Sequence, residues 1–151
     1  MKKRFTWVLL VLMLAYIAIV GVSCMSSPKN IGLVDGKLHP CPNSPNCVSS
    51  QSEQADKKID PLKYKGDYLV AKKKLKDVLA SLPRTKVVKE EEKYLHAEAT
   101  TFFFRFVDDC EFLIDDDKKV IHVRSASRVG HSDLGVNRKR VESIREKFQA
   151  Q

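Results

Sequence analysis

The sequence predicts an α+β fold: an antiparallel sheet of about four strands with two helices packed on one face. Three observations predict it. Apolar residues recur at three- and four-residue steps in two windows, 67–82 and 133–148. Short segments of alternating character lie between those windows. Brief polar turns separate these segments, which makes the sheet an antiparallel meander.

The first element stands apart from that domain. No charged residue occurs from Phe5 to Pro28, and Lys2, Lys3 and Arg4 precede this run. A basic start followed by a continuous apolar stretch is a targeting or anchoring signal, with the basic end left on the cytoplasmic side. Residues 1–23 are therefore read as a lipoprotein-type signal peptide or a membrane anchor. The run is long enough to span a bilayer if retained. Gly21-Val22-Ser23-Cys24 is similar to the bacterial lipoprotein signal, in which small residues precede a cysteine that is lipidated. Glycine stands where that signal usually has leucine. Lipidation of Cys24, by palmitate or another acyl chain, is the expectation.

Residues 24–35 read as a linker and 36–150 as a single domain; the stretch from Ser26 to Gln54, rich in Pro, Gly, Ser and Asn, covers most of the linker and the irregular start of the domain. Cys41 and Cys47 flank five residues, two of them proline. In an oxidising compartment a disulfide is the favoured reading, with half a zinc site as the alternative. Cys110 lies in an alternating apolar stretch and reads as a small buried hydrophobe.

The first helix, Asp67 to Leu82, has Asp67 as N-cap and Tyr68, Ala71, Leu75, Val78, Leu79 and Leu82 on one face. Lys72, Lys73, Lys74 and Lys76 read as its solvated side. Four strands follow: Lys86–Lys89, Tyr94–Phe106, Cys110–Ile114 and Val120–Ser125. Asp115-Asp116-Asp117-Lys118 is read as a hairpin turn rather than a calcium loop, because the spaced ligands and glycine of such a loop are missing. The last helix, Asp133–Phe148, carries Leu134, Asn137, Val141, Ile144 and Phe148 in its stripe, with Asp133 as cap.

Alternation divides the strands into two faces. Leu95, Ala97, Phe102, Phe104, Phe106, Cys110, Phe112, Ile114, Ile121 and Val123 suit the core. His96, Glu98, Arg105, Asp109, Glu111, His122 and Arg124 fall on the other side. Opposite charges facing each other across strands make a salt-bridge ladder. The sharper possibility is an anion-binding pocket of Arg124, Ser125, Ser127, Arg128 and Arg138, with Asp109 and Glu111 beside it. The alternative is a hydrolase using Asp109, Glu111 or His122. No metal site and no cofactor are expected, and no P-loop, dinucleotide fingerprint, zinc-protease or serine-hydrolase motif occurs.

Three motifs carry a resemblance: Cys41 to Ser50, Asp108-Asp109-Cys110-Glu111-Phe112, and Arg124 to Arg138. Together they resemble the family known as domain of unknown function 1499, over roughly 36–148. The departure is Cys110, where that family usually has valine, which argues against a nucleophilic role for it. The resemblance implies one domain, often behind an export signal, and no assigned reaction. It draws attention to Asp108, Asp109, Glu111, Arg124, Ser125, Ser127, Arg128, Asp133, Asn137 and Arg138.

The chain has 27 basic and 19 acidic residues, a net charge of +8. Without Lys2, Lys3 and Arg4 the balance is 24 against 19, or +5. Such a surface suits anionic lipid or polymer but lacks the basic stripe of a nucleic-acid binder. The sequence thus predicts a membrane-anchored module of the bacterial cell envelope. Its partners would be membrane lipid, through the anchor, and an anionic small molecule or envelope polymer. A structural role in an envelope complex, with an unnamed protein partner, is the third reading.

Overall fold

The computed structural model describes residues 2–150. Helix α1 (Lys2–Cys24) is followed by strands β1 (Leu33–Val34), β2 (Lys37–Leu38), β3 (Cys47–Ser49) and β4 (Leu62–Lys63). Then come α2 (Tyr68–Ser81), β5 (Thr85–Glu90), β6 (Tyr94–Thr100), β7 (Val107–Asp115), β8 (Val120–Ser127) and α3 (Val136–Ala150).

The class is α+β with an antiparallel main sheet, but that sheet has six strands rather than about four. Its order is β3-β8-β7-β6-β5, with β4 also on β8. Of the two extra strands, β3 comes from the Pro- and Ser-rich region and β4 from the stretch just ahead of α2; pieces of two or three residues carry too little alternation to be counted as sheet strands. β3 pairs with Arg124–Ala126 and β4 with Val120–Ile121, so both extend the same edge of the sheet.

The helix windows form as their spacing requires. Asp67 caps α2 by accepting from the Leu69 N–H at 2.6 Å. Ala71, Leu75, Val78 and Leu79 are buried. Pro83 follows the end, where it cannot continue the helix. Lys72 and Lys76 tie α2 to β5 through Glu90, at 3.1 and 2.7 Å, rather than merely facing solvent. Asp133 caps α3, accepting from Gly135 N–H (3.0 Å) and Asn137 N–H (2.8 Å). Val141, Ile144 and Phe148 join Leu75, Leu79, Leu95, Ala97, Cys110, Phe112, Ile121 and Val123 in one core cluster.

Two sequence expectations are corrected here. The second strand was expected to run to Phe106, yet β6 ends at Thr100 and residues 101–106 form a loop. Phe102, Phe103 and Phe104 are therefore exposed, by 66%, 70% and 47%, and only Phe106 is half-buried. Consecutive aromatics cannot all sit on one face of a strand, and Arg105 adopts a left-handed φ of 57° that ends the extended run. Leu134 also leaves the helix stripe. It lies ahead of α3 and is 87% exposed.

The side chains described in α1 run from Trp7 to Ser23. Those of residues 2–6 and of Cys24, the expected lipidation site, lie outside the described set. Trp7, Val11, Leu14, Ile17 and Val22 are each more than half exposed. Among the described residues no helix is long and apolar enough to cross a membrane.

Candidate functional site

The face of the sheet opposite the apolar core is charged and yet closed. Register sets Glu111 against Arg124 and His96, and Glu98 against Asp109. Arg124 is 2% exposed and Glu111 0%. Arg124 Nη1 donates to Glu111 Oε2 at 2.8 Å. The other carboxylate oxygen accepts from Tyr94 O–H (2.8 Å) and from the Gly32 backbone N–H (2.6 Å). Arg124 Nε finds no partner among the described residues.

A second pair lies alongside. Arg128 grips Asp109 with two prongs, Nε to Oδ2 (2.9 Å) and Nη2 to Oδ1 (2.8 Å), the geometry in which arginine matches a carboxylate. It also bonds Glu98 and the Ser26 carbonyl, the latter at 3.0 Å. His96 Nε2 lies 2.7 Å from the same Asp109 Oδ1. Burial alone would push the Asp109 carboxyl up. The His96 hydrogen bond and the Arg128 fork outweigh burial and hold it below its ordinary value. The cover on this face is thus partly the segment read as a linker, pinned at Ser26 and Gly32.

The Cys41–Cys47 disulfide is formed, with the two Cα atoms 5.6 Å apart. It shapes a loop that docks on the end of β8 and the start of α3. Asn46 Nδ2 donates to the Gly130 carbonyl (2.7 Å), and the Asn46 carbonyl accepts from Ser127 N–H and Asn137 Nδ2, both at 3.1 Å. Asn137 Oδ1 accepts from Ser125 Oγ (2.5 Å) and Arg140 Nη1 (2.6 Å), while Arg140 Nη2 reaches Asp108 at 2.5 Å. The three sequence motifs therefore meet in one place. Arg138 does something different: it clamps the Lys58 and Asp56 carbonyls at 3.0 and 2.6 Å.

Every arginine expected to receive an anion is already engaged by a carboxylate or carbonyl of the chain itself. The expected acid–base residues fall in two separate places. The histidine at Asp109 is His96, whereas His122 lies against Ser50 Oγ (3.2 Å) and 3.7 Å from Asp115. Burial lowers His122 against the opposing pull of Asp115. Cys110 is fully buried 3.3 Å from Ser125 Oγ, and burial pushes its thiol up, away from the thiolate a nucleophile needs.

An open feature lies at the other end of the sheet. A cleft of about 690 Å³ is lined by Lys63, Lys65, Lys74, Lys118 and Lys119 around Tyr64 and Phe148. Lys118 pairs with Asp115 and Lys119 with Asp116, each at 2.6 Å. Tyr64 O–H donates to Asp116 at 2.7 Å. Burial and this carboxylate raise the phenol well above its ordinary value, so it stays protonated. Lys63, Lys65 and Lys74 pair with no carboxylate among the described residues. Lys74 Nζ instead sits 4.8 Å from the centre of the Phe148 ring.

A family model described as protein of unknown function (DUF1499) matches residues 37–148. The chain belongs to this family. The match takes in β2 through most of α3 and excludes α1 and β1. No curated protein and no solved structure matches the chain. Within the DUF1499 domain, sequence reasoning singled out Asp109, Glu111, Arg124 and Arg128 but left His96, Tyr94 and Arg140 out of the site. Strand alternation placed His96 on the right face. Only the register of β6 on β7 puts it at Asp109 rather than elsewhere. The lysine cleft had no sequence signal, because its residues come from β4, α2, α3 and the β7–β8 turn.

Proposed function

We propose that this DUF1499 protein is a non-enzymatic, membrane-tethered binding module of the bacterial cell envelope. It presents the lysine cleft to an anionic ligand. One observation carries the reading: five ammonium groups surround an open cleft, three of them without a carboxylate partner among the described residues. Such a site attracts a phosphate- or carboxylate-bearing small molecule or polymer, while the buried Tyr64 and Phe148 rings hold Lys119 and Lys74 in place through their faces. The arginines are spent internally, so the anionic ligand expected from the sequence is assigned to the lysines.

The tether is the apolar segment ahead of the domain, exported behind its basic start. In this reading Cys24 carries the lipid, and palmitate-type chains hold the protein at the membrane surface. Helices α2 and α3 cover one face of the sheet, and the charged face is a structural staple. The hydrolase reading gains no support, since Asp109 and Glu111 are buried and bonded to arginine.

Calorimetric titration of the full chain with inorganic polyphosphate and with a polyuronate tests the proposal. A Lys63→Gln/Lys65→Gln/Lys74→Gln variant binds one of these at least about tenfold more weakly, roughly 1.4 kcal/mol. Arg138→Gln leaves the affinity unchanged. Equal affinity in the lysine variant and the wild type overturns the assignment.

A further inference from the structure

The end of the sheet away from the lysine cleft carries an unexplained apolar surface. The 101–106 loop joins β6 to β7 and holds Phe102, Phe103 and Phe104 outward, with Leu134 beside them. These side chains surround an apolar cavity of about 410 Å³. Exposed aromatics clustered on one loop are costly in water and mark a contact surface. We infer that this loop is a second membrane contact, inserting its phenylalanines among lipid headgroups and upper acyl chains and so fixing the orientation of the domain. The inference rests on the membrane-anchoring reading above.

Three observations identify lipid as the occupant. First, in the chain that keeps α1, the surface is continuous with the anchor segment. Phe104, Phe106 and Val129 line a second apolar cavity with Ala18, Ile19 and Val22. Tyr16 O–H donates to the Phe103 carbonyl at 3.0 Å, and Ser23 Oγ donates to the Arg105 carbonyl at 2.7 Å. Second, there is no slack in the tether. Arg128 holds the Ser26 carbonyl two residues after Cys24, a span of only about 7 Å when extended. A domain tied that close to its lipid keeps this end at the bilayer, whether α1 is retained or removed at Cys24. Third, cations border the aromatics. The Arg84 guanidinium lies 5.4 Å from the Phe102 ring centre, and Arg105 is exposed at the loop tip. Aromatic rings flanked by arginine suit the boundary between anionic headgroups and acyl chains.

The geometry gives the molecule two poles. Strand β7 runs nine residues from the aromatic loop to the turn beside the lysines, about 30 Å at the usual strand rise. Insertion of the loop points the lysine cleft away from the membrane, toward polymer in the envelope.

The test uses the full chain in vesicles of phosphatidylethanolamine and phosphatidylglycerol with acyl chains brominated near the headgroup. Trp7 is the single tryptophan. Trp7→Phe with Phe103→Trp therefore leaves one indole, on the loop. The expected result is flotation with the vesicles together with a loss of about half the indole fluorescence when bromine is present, as for a ring seated at the headgroup–acyl boundary. Flotation with unquenched fluorescence leaves the anchor in place and overturns the inference, including the case in which the loop is covered by protein. Failure to float removes the anchoring reading itself, and the inference with it.

Discussion

The two faces of the β6-β7-β8 sheet are equally dry but are held by opposite means. On one, Phe112, Ile121 and Val123 share an apolar core cluster with Leu75, Leu79, Val141 and Ile144. On the other, Glu111, Arg124, Asp109 and His96 are buried to a similar degree and stabilised by pairing with each other. Removing a side chain from the first face leaves a cavity. Removing Arg124 from the second leaves the Glu111 carboxylate buried without its countercharge. The difference teaches that the same burial implies a different response to mutation, and that charged residues on a sheet are not by themselves a binding site.

The sharpest way to break this comparison is a trio of variants measured by urea denaturation. Phe112→Ala loses about 3–5 kcal/mol through its cavity. Arg124→Ala loses a similar amount, about 3–5 kcal/mol, because Glu111 stays buried and unpaired. Glu111→Leu combined with Arg124→Met recovers most of that loss, since an apolar pair needs no partner. A small effect of Arg124→Ala, below about 1 kcal/mol, would mean that the charged face opens to water.

A smaller effect is expected at the motif junction. Cys41→Ser with Cys47→Ser costs about 2 kcal/mol, the entropy of closing so short a loop. Thermal melts with and without reductant, on wild type and variant, check this. A melt insensitive to reductant would show that the Asn46 contacts hold the loop without the covalent link.

The charged face also carries a pH dependence that the apolar face lacks. The folded Asp109 carboxyl lies below its ordinary 3.8. Its contribution is therefore full well above that value and is lost as pH falls through the lower folded value. Melting temperatures of wild type and Asp109→Asn, taken from about pH 7 to pH 3, should differ most at neutral pH and converge in acid. A constant difference would remove the carboxylate from the account.

The smallest stability effect belongs to the cleft. Lys63→Gln and Lys65→Gln should stay within about 0.5 kcal/mol of wild type, as exposed substitutions do. A larger loss would mark these lysines as structural and would weaken the binding proposal.

Much of the fold was legible locally. The α2 stripe, the Asp67 and Asp133 caps and the β7–β8 turn follow from spacing over a few residues, where periodicity and side-chain reach leave few alternatives; the Cys41–Cys47 bridge was favoured over half a zinc site by the oxidising compartment. The assignment of Cys110 to the core and of Asp109, Glu111 and Arg124 to the opposite face followed from period-two alternation for the same reason. Alternation says which face a residue occupies. It does not say what covers that face.

That second question was decided by tertiary structure. Gly32 and Ser26, in a segment with no pattern of its own, close over Glu111 and Arg128 from some eighty to a hundred residues away. Strand register chose His96 over His122 as the neighbour of Asp109. The lysines of the cleft come from β4 and the residues after it, from α2 and from the β7–β8 turn. The run Phe102–Phe106 shows the limit clearly: its composition fits a strand, but a left-handed residue and the turn into β7 send the aromatics outward. Local periodicity determines what each segment can become. Which charges meet, and which apolar groups are left uncovered, depends on contacts between segments far apart in the chain.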